Sequence, residues 1–158
     1  MRFAPELPAV LALKTSQSVE RNKHLIRRLE IQNSAYEKDL SSTFARDKVI
    51  GSVLANSNLT TLITDRNSIG ESEVQALSEA LKTNSTLTTL GLKYNSIGDN
   101  GAAALSEALK TNSTLTTLGL NGNSIGPNGA VALSVALKTN STLTDMGATL
   151  HDLLRMAN

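Results

Sequence analysis

Apolar and polar residues alternate along the middle of the chain with a period that changes partway through each unit. Leu90 and Leu92 alternate with Thr89, Gly91 and Lys93, a period of two that places the leucines on one face of a short strand. The threonines beside them suit a pleated backbone. A turn cluster, Gly98-Asp99-Asn100-Gly101, follows. Beyond it Gly101, Leu105, Ala108 and Leu109 fall at helical spacing, the inward stripe of an amphipathic helix. Asp99 or Asn100 is expected to supply the N-cap oxygen of that helix. Asn112, after Lys110-Thr111, is expected to close it through a left-handed residue, which asparagine tolerates.

The unit repeats. NSTLTTLGLKYNSIG, from Asn84 to Gly98, returns as NSTLTTLGLNGNSIG from Asn112 to Gly126, and Leu59, Leu87, Leu115 and Leu143 each stand 28 residues from the next. A fixed period of this length means stacked supersecondary units. Residues 59–142 form three regular units, 1–58 divergent N-terminal units or a cap, and 143–158 a degenerate last unit or C-terminal cap. Upstream, Leu25, the spacing Ile26-x-x-Leu29-x-Ile31 and Ser34 in the asparagine slot indicate a divergent repeat, preceded by a degenerate helix from Ala9 to Val19. The step from Ile26 to Leu59 is 33 residues, which predicts an insertion around Ala35 to Leu40; Ser41 or Ser42 then caps a helix leading to Asn58. At the far end Leu143, Met146 and Ala148 keep the strand spacing, but His151 takes the asparagine slot. Leu150, Leu153 and Leu154 favour a cap over the open end of the core, the alternative being a truncated longer array.

Two polar features of the core call for partners. Thr64 stands where Leu92 and Leu120 stand later, so its hydroxyl marks an expected weak point. Asn67, Asn95 and Asn123 face inward, where a carboxamide can both donate to and accept from the bending backbone.

The pattern LxxLxLxxNxI followed by a helix, carried by Leu87, Leu90, Leu92, Asn95 and Ile97 and repeated from Leu59 to Leu143, resembles the ribonuclease-inhibitor-like class of leucine-rich repeats, also found in NOD-like receptor arms. The resemblance implies an α/β leucine-rich-repeat solenoid, a horseshoe arc with parallel strands on the concave side and helices on the convex side. It also implies that the inward asparagines form a structural ladder. It leaves function open.

Composition narrows the classes. A net charge of +1 over 158 residues gives no strong attraction to nucleic acid or acidic membrane. The absence of cysteine removes disulfides, thiolate metal sites and a cysteine nucleophile. No signal peptide or membrane span is expected, since Pro5, Glu6 and Pro8 interrupt the apolar run ending at Leu13; the expected setting is the cytoplasm, and the expected state a monomer. Candidate chemistry is sparse. His24 and His151 lie near opposite ends of the chain, Gly98-x-x-Gly101 lacks the lysine and spacing of a phosphate-binding loop, and no Ser/His/Asp set stands out. The expectation is a non-enzymatic chain without cofactor or metal. Four Asn-x-Thr sequons, at Asn58, Asn84, Asn112 and Asn140, read as repeat consensus rather than as glycosylation sites.

Comparing the units with one another singles out a surface. Between Asn84–Gly98 and Asn112–Gly126 only Lys93-Tyr94 changes, to Asn121-Gly122, and the first unit has Asp65-Arg66 there. With Thr61, Ile63, Thr89 and Thr117, the residues Asp65, Arg66, Lys93, Tyr94 and Asn121 define a candidate partner-binding face for a protein. Tyr94 and Arg66 are its leading residues, because aromatic and guanidinium groups dominate interface hot spots. Gly91, Gly119 and Gly122 indicate either close backbone approach or a weak surface. Val131 and Val135, replacing Ala103 and Glu107, make a second, convex candidate. The same resemblance extends to Ran-GTPase-activating proteins, so a GTPase-regulating role with Arg66 as contact is the alternative, although the acidic tail and most repeats of such proteins are missing. A further alternative is a fragment of a larger receptor or effector.

Overall fold

The computed structural model describes residues 27–30 and 58–146. The expected Ala9–Val19 helix, the Ala35–Leu40 insertion, the Ser41/Ser42 cap, His24, Ser34, Ala148 and the Leu150–Leu154 cap lie outside them. Four short strands, β1 (Arg28–Glu30), β2 (Thr61–Ile63), β3 (Thr89–Gly91) and β4 (Thr117–Gly119), form one parallel sheet in chain order. Helices α1 (Glu71–Thr83), α2 (Gly98–Leu109) and α3 (Pro127–Thr139) follow β2, β3 and β4. This is the α/β leucine-rich-repeat architecture. Thr61, Thr89 and Thr117 stand side by side. Arg28 pairs with Thr61, a step of 33, so the divergent unit enters the sheet in the register its leucine spacing predicts.

The core is a strip between the sheet and the helices. In the central unit Leu87, Leu90, Leu92, Ile97, Leu105 and Leu109 are fully buried, and their counterparts in neighbouring units pack against them. A buried leucine stabilises by about 1.5–3 kcal/mol relative to an exposed one, so this recurring stripe is the main source of cohesion between units. Thr64 lies in the same strip, and its hydroxyl donates to the carbonyl of Gly91 at 3.2 Å. The expected weak point therefore has a hydrogen-bond partner in the next unit.

The helix ends differ from their sequence expectation, and both differences have one cause. α2 has no side-chain cap of its own. Asp99 instead accepts hydrogen bonds from the N–H groups of Gly126 at 2.6 Å and Gly129 at 3.0 Å, the first turn of the next helix, whose own N1 residue is Pro127. At the other end Asn84 and Asn140 are extended, with φ of −73° and −82°, and Asn112 is absent from the left-handed residues. The carboxamide of Asn112 reaches back to the preceding unit, donating to Leu81 O at 2.8 Å and Asn84 O at 3.1 Å. Helix termini expose unpaired N–H and C=O groups, and here a neighbouring repeat satisfies them. Asp99→Ala is expected to lower stability by about 1 kcal/mol, the usual loss of a cap, and to speed amide exchange at Gly126 and Gly129 rather than at the start of α2. Exchange lost first from α2 would contradict the assignment.

Candidate functional site

The strand face is built in rows that run across the units. Thr61, Thr89 and Thr117 make the first row, all half-buried. Arg28 precedes them, and Asp145, bridged to Thr117, continues the row. Next to these threonines Thr60, Thr88, Thr116 and Thr144 donate hydroxyl protons to carbonyls of the preceding unit. That hydroxyl ladder binds units together, and its signal is the threonine recurring every unit.

Ile63, Gly91 and Gly119 make the second row. A Cβ on Gly91 would meet Ile63 Cδ1 and Asp65 Oδ1, each at 2.9 Å. On Gly119 it would meet Lys93 Cε at 2.8 Å. Both glycines are buried under side chains of the preceding unit, so they form the floor on which Ile63 and Lys93 lie.

The variable pairs occupy the loops after the strands. Asp65 Oδ1 accepts the Lys93 backbone N–H at 2.8 Å, which gives this candidate contact a structural bond as well. Arg66, Tyr94 and Gly122 form a column in which every residue is left-handed, with φ of 59°, 55° and 72°. Glycine adopts that region freely, whereas arginine and tyrosine do so at some cost. The Arg66 guanidinium lies 4.6 Å from the Tyr94 ring centroid, a cation–π contact. From the other side Gly122 adjoins the ring, where a Cβ would sit 2.6 Å from Tyr94 Cδ1. Tyr94 nevertheless remains 55% exposed. Neither Arg66 nor Lys93 joins an ion pair among the described residues. Thus Arg66 and Tyr94 are in contact, Ile63 and Lys93 lie over the glycines of the units that follow them, and Asn121 stands one unit beyond Lys93.

Beneath this loop runs the asparagine ladder. Asn95 Oδ1 accepts from the N–H of Asn67 at 2.9 Å and of Ile69 at 3.0 Å, and its Nδ2 donates to the carbonyls of Thr64, Leu92 and Lys93. Asn123 Oδ1 accepts the Asn95 N–H, and its Nδ2 donates to Leu92 O and Leu120 O. Asn67 donates to Asp65 O. The ladder thereby fixes the loop that carries the exposed pair.

A second ladder is one that the leucine spacing does not predict. Asn112 Oδ1 accepts from the N–H groups of Thr114 and Leu115 while its Nδ2 reaches the preceding unit, and Asn140 repeats this with Thr142, Leu143, Leu109 and Asn112. Its signal was the recurrence of Asn84, Asn112 and Asn140, the sequon asparagines. With Asn112 5% exposed and both carboxamide atoms engaged, the folded chain offers no glycosylation acceptor there.

On the helix face, Val131 and Val135 are 47% and 46% exposed. In the corresponding stretches of α1 and α2, Lys82 pairs with Glu79 and Lys110 with Glu107. Among the described residues no three histidine, cysteine or carboxylate side chains converge on a metal site, and no helix is long and apolar enough to cross a membrane.

Comparison with known proteins agrees with this geometry. Residues 83–106 and 111–134 match the Leucine Rich repeat family model, so the central part of the chain is leucine-rich-repeat sequence. Among solved structures, the chain is similar to leiomodin-1 actin-binding site 2, with a TM-score of 0.74, 23% identity and coverage of 89% of this chain and 86% of that one. It is also similar to a tropomodulin C-terminal domain from Caenorhabditis elegans, with a TM-score of 0.73, 14% identity and coverage of 89% and 90%. At these identities the likeness is one of fold. No curated protein matches the sequence.

Proposed function

We propose that the chain is a non-catalytic protein-recognition module whose concave strand face, centred on Asp65 to Tyr94, docks a protein partner. The observation that carries the reading is Tyr94. It keeps an unfavourable left-handed backbone, is braced by Arg66, and leaves over half its surface in water, in a loop fixed from below by Asn95 and Asn123. Rigid, exposed aromatics beside guanidinium groups are the usual anchors of protein interfaces. The 28-residue register of the strands and a full helix in each of the three regular units support the ribonuclease-inhibitor-like class. The module acts as a cytoplasmic monomer without cofactor, nucleic acid or membrane.

The leiomodin-1 segment with this fold is that protein's actin-binding site 2, which makes actin the first partner to test. Tyr94→Gly is the informative variant, because Gly122 occupies the same left-handed slot one unit later and the backbone accepts it without strain. The variant is expected to keep the wild-type unfolding midpoint and to bind actin at least about tenfold more weakly in co-sedimentation and monomer-binding assays, the loss of one hot spot. Equal binding by both proteins removes Tyr94 from the interface. No binding by the wild type removes actin. The GTPase-regulating alternative requires Arg66 to reach a nucleotide, whereas its guanidinium is stacked on Tyr94; GTP hydrolysis unchanged by the chain removes that alternative.

A further inference from the structure

Three Asn-Gly pairs occur in the described chain, Asn100-Gly101, Asn121-Gly122 and Asn128-Gly129, and the fold treats them differently. An asparagine followed by glycine is open to attack by the glycine nitrogen on the asparagine side chain, since no Cβ obstructs the approach. Asn100 lies inside α2, its carboxamide donating to Glu71 at 3.0 Å, and Gly101 is buried against Ile97. Asn128 lies inside α3, where the Gly129 N–H is given to Asp99. Asn121 and Gly122 stand outside any helix, in the loop after β4.

The loop after β4 differs from its two predecessors in what the described residues place against it. In the two units before it, the corresponding N–H groups are held by the following unit: Arg66 N–H donates to Lys93 O, and Tyr94 N–H to Asn121 O. The corresponding side chain of the first unit is held as well, Asp65 accepting the Lys93 N–H. The stretch of the following unit that corresponds to Asn121 and Gly122 lies outside the described residues, and among the described residues neither the Asn121 carboxamide nor the Gly122 N–H has a hydrogen-bond partner. Gly122 is exposed and Asn121 half-exposed, so both reacting groups and the water that completes the reaction are accessible.

We propose that Asn121 is a modification site, at which the folded chain converts spontaneously to aspartate or isoaspartate and adds a negative charge to the strand face. The Gly122 nitrogen loses its proton and bonds to Cγ of Asn121. The Cγ–Nδ2 bond breaks, and ammonia leaves with that proton. One water then opens the five-membered imide at either carbonyl, leaving a carboxylate at position 121. One water is consumed and one ammonia released, with no oxidant or reductant. The isoaspartate branch also shifts the Asn121 carbonyl, which holds the Tyr94 N–H at 2.7 Å, out of the main chain. Modification thus reaches the loop that presents Tyr94.

The test is a peptide map of the intact folded chain, incubated in mildly alkaline buffer and followed by the mass gain of deamidation at each pair. A parallel sample is held in denaturant. In the folded chain Asn121 is expected to convert at least about tenfold faster than Asn100 or Asn128, whose reaction requires local opening. In denaturant the rates are expected to converge. Conversion at Asn121 no faster than at the two helical pairs, or a rate at Asn121 far below its denatured value, overturns the proposal.

Discussion

Asn95→Ala is expected to lower the unfolding free energy by about 3 kcal/mol, near the upper end of the cost of leaving buried backbone groups unpaired. The substitution orphans the N–H groups of Asn67 and Ile69 and withdraws the donor shared by the carbonyls of Thr64, Leu92 and Lys93. Alanine offers nothing in return, and the site is buried. Because those groups belong to two units, the loss falls on the interface between them, where a solenoid holds most of its cooperativity. Denaturant unfolding should show a lowered midpoint, and amide exchange should accelerate at Asn67 and Ile69 before it does in α2. A loss under about 1 kcal/mol would mean that water replaces the carboxamide, against the cost assigned to orphaned buried groups.

The second large effect is expected at Asn112→Ala, at about 2–3 kcal/mol by the same reasoning. Here the orphaned donors are the N–H groups of Thr114 and Leu115, and the orphaned acceptors are Leu81 O near the end of α1 and Asn84 O beyond it. Asn112→Asp is the discriminating partner, since it retains the acceptor and loses the donor. It should keep exchange slow at Thr114 and Leu115 while destabilising the end of α1. Equal acceleration at both places in the aspartate variant would show that the two halves of the carboxamide do not act separately.

These two asparagines also show what the sequence made legible. Asn95 occupies a slot inside the leucine stripe, so its inward direction and its need for backbone partners follow from spacing. The same holds for Leu90, Leu92, Leu105 and Leu109, whose side is dictated by strand and helix periods. Asn112 and Asp99 depart from their sequence expectation because capping rules relate a side chain to its own helix. In a stack of identical units the nearest free helix terminus can belong to a neighbour, about one strand spacing away, and local sequence carries no label for that choice. The recurrence of asparagine at 84, 112 and 140 is the available sign, and the same residues also spell a glycosylation sequon. For the candidate site, comparison between units located the variable pairs, but the left-handed backbone of Arg66 and Tyr94 and their mutual stacking depend on φ and on a contact between units. Neither is encoded in a residue-by-residue pattern.

One feature of the strand face bears on how such a surface can change. Ile63 lies over Gly91, Lys93 over Gly119, and the Tyr94 ring adjoins Gly122, so the larger side chains all incline toward the unit that follows. The face therefore has a grain, like overlapping shingles. What a partner meets at a given unit is partly furnished by the one before it, and the glycines downstream are the room those side chains need. A segment boundary drawn from one leucine to the next consequently divides the surface in the wrong place. Duplicating or exchanging a single unit would give its successor a new covering and leave its own floor under a stranger's side chains, so recognition in this array is inherited by pairs of adjacent units.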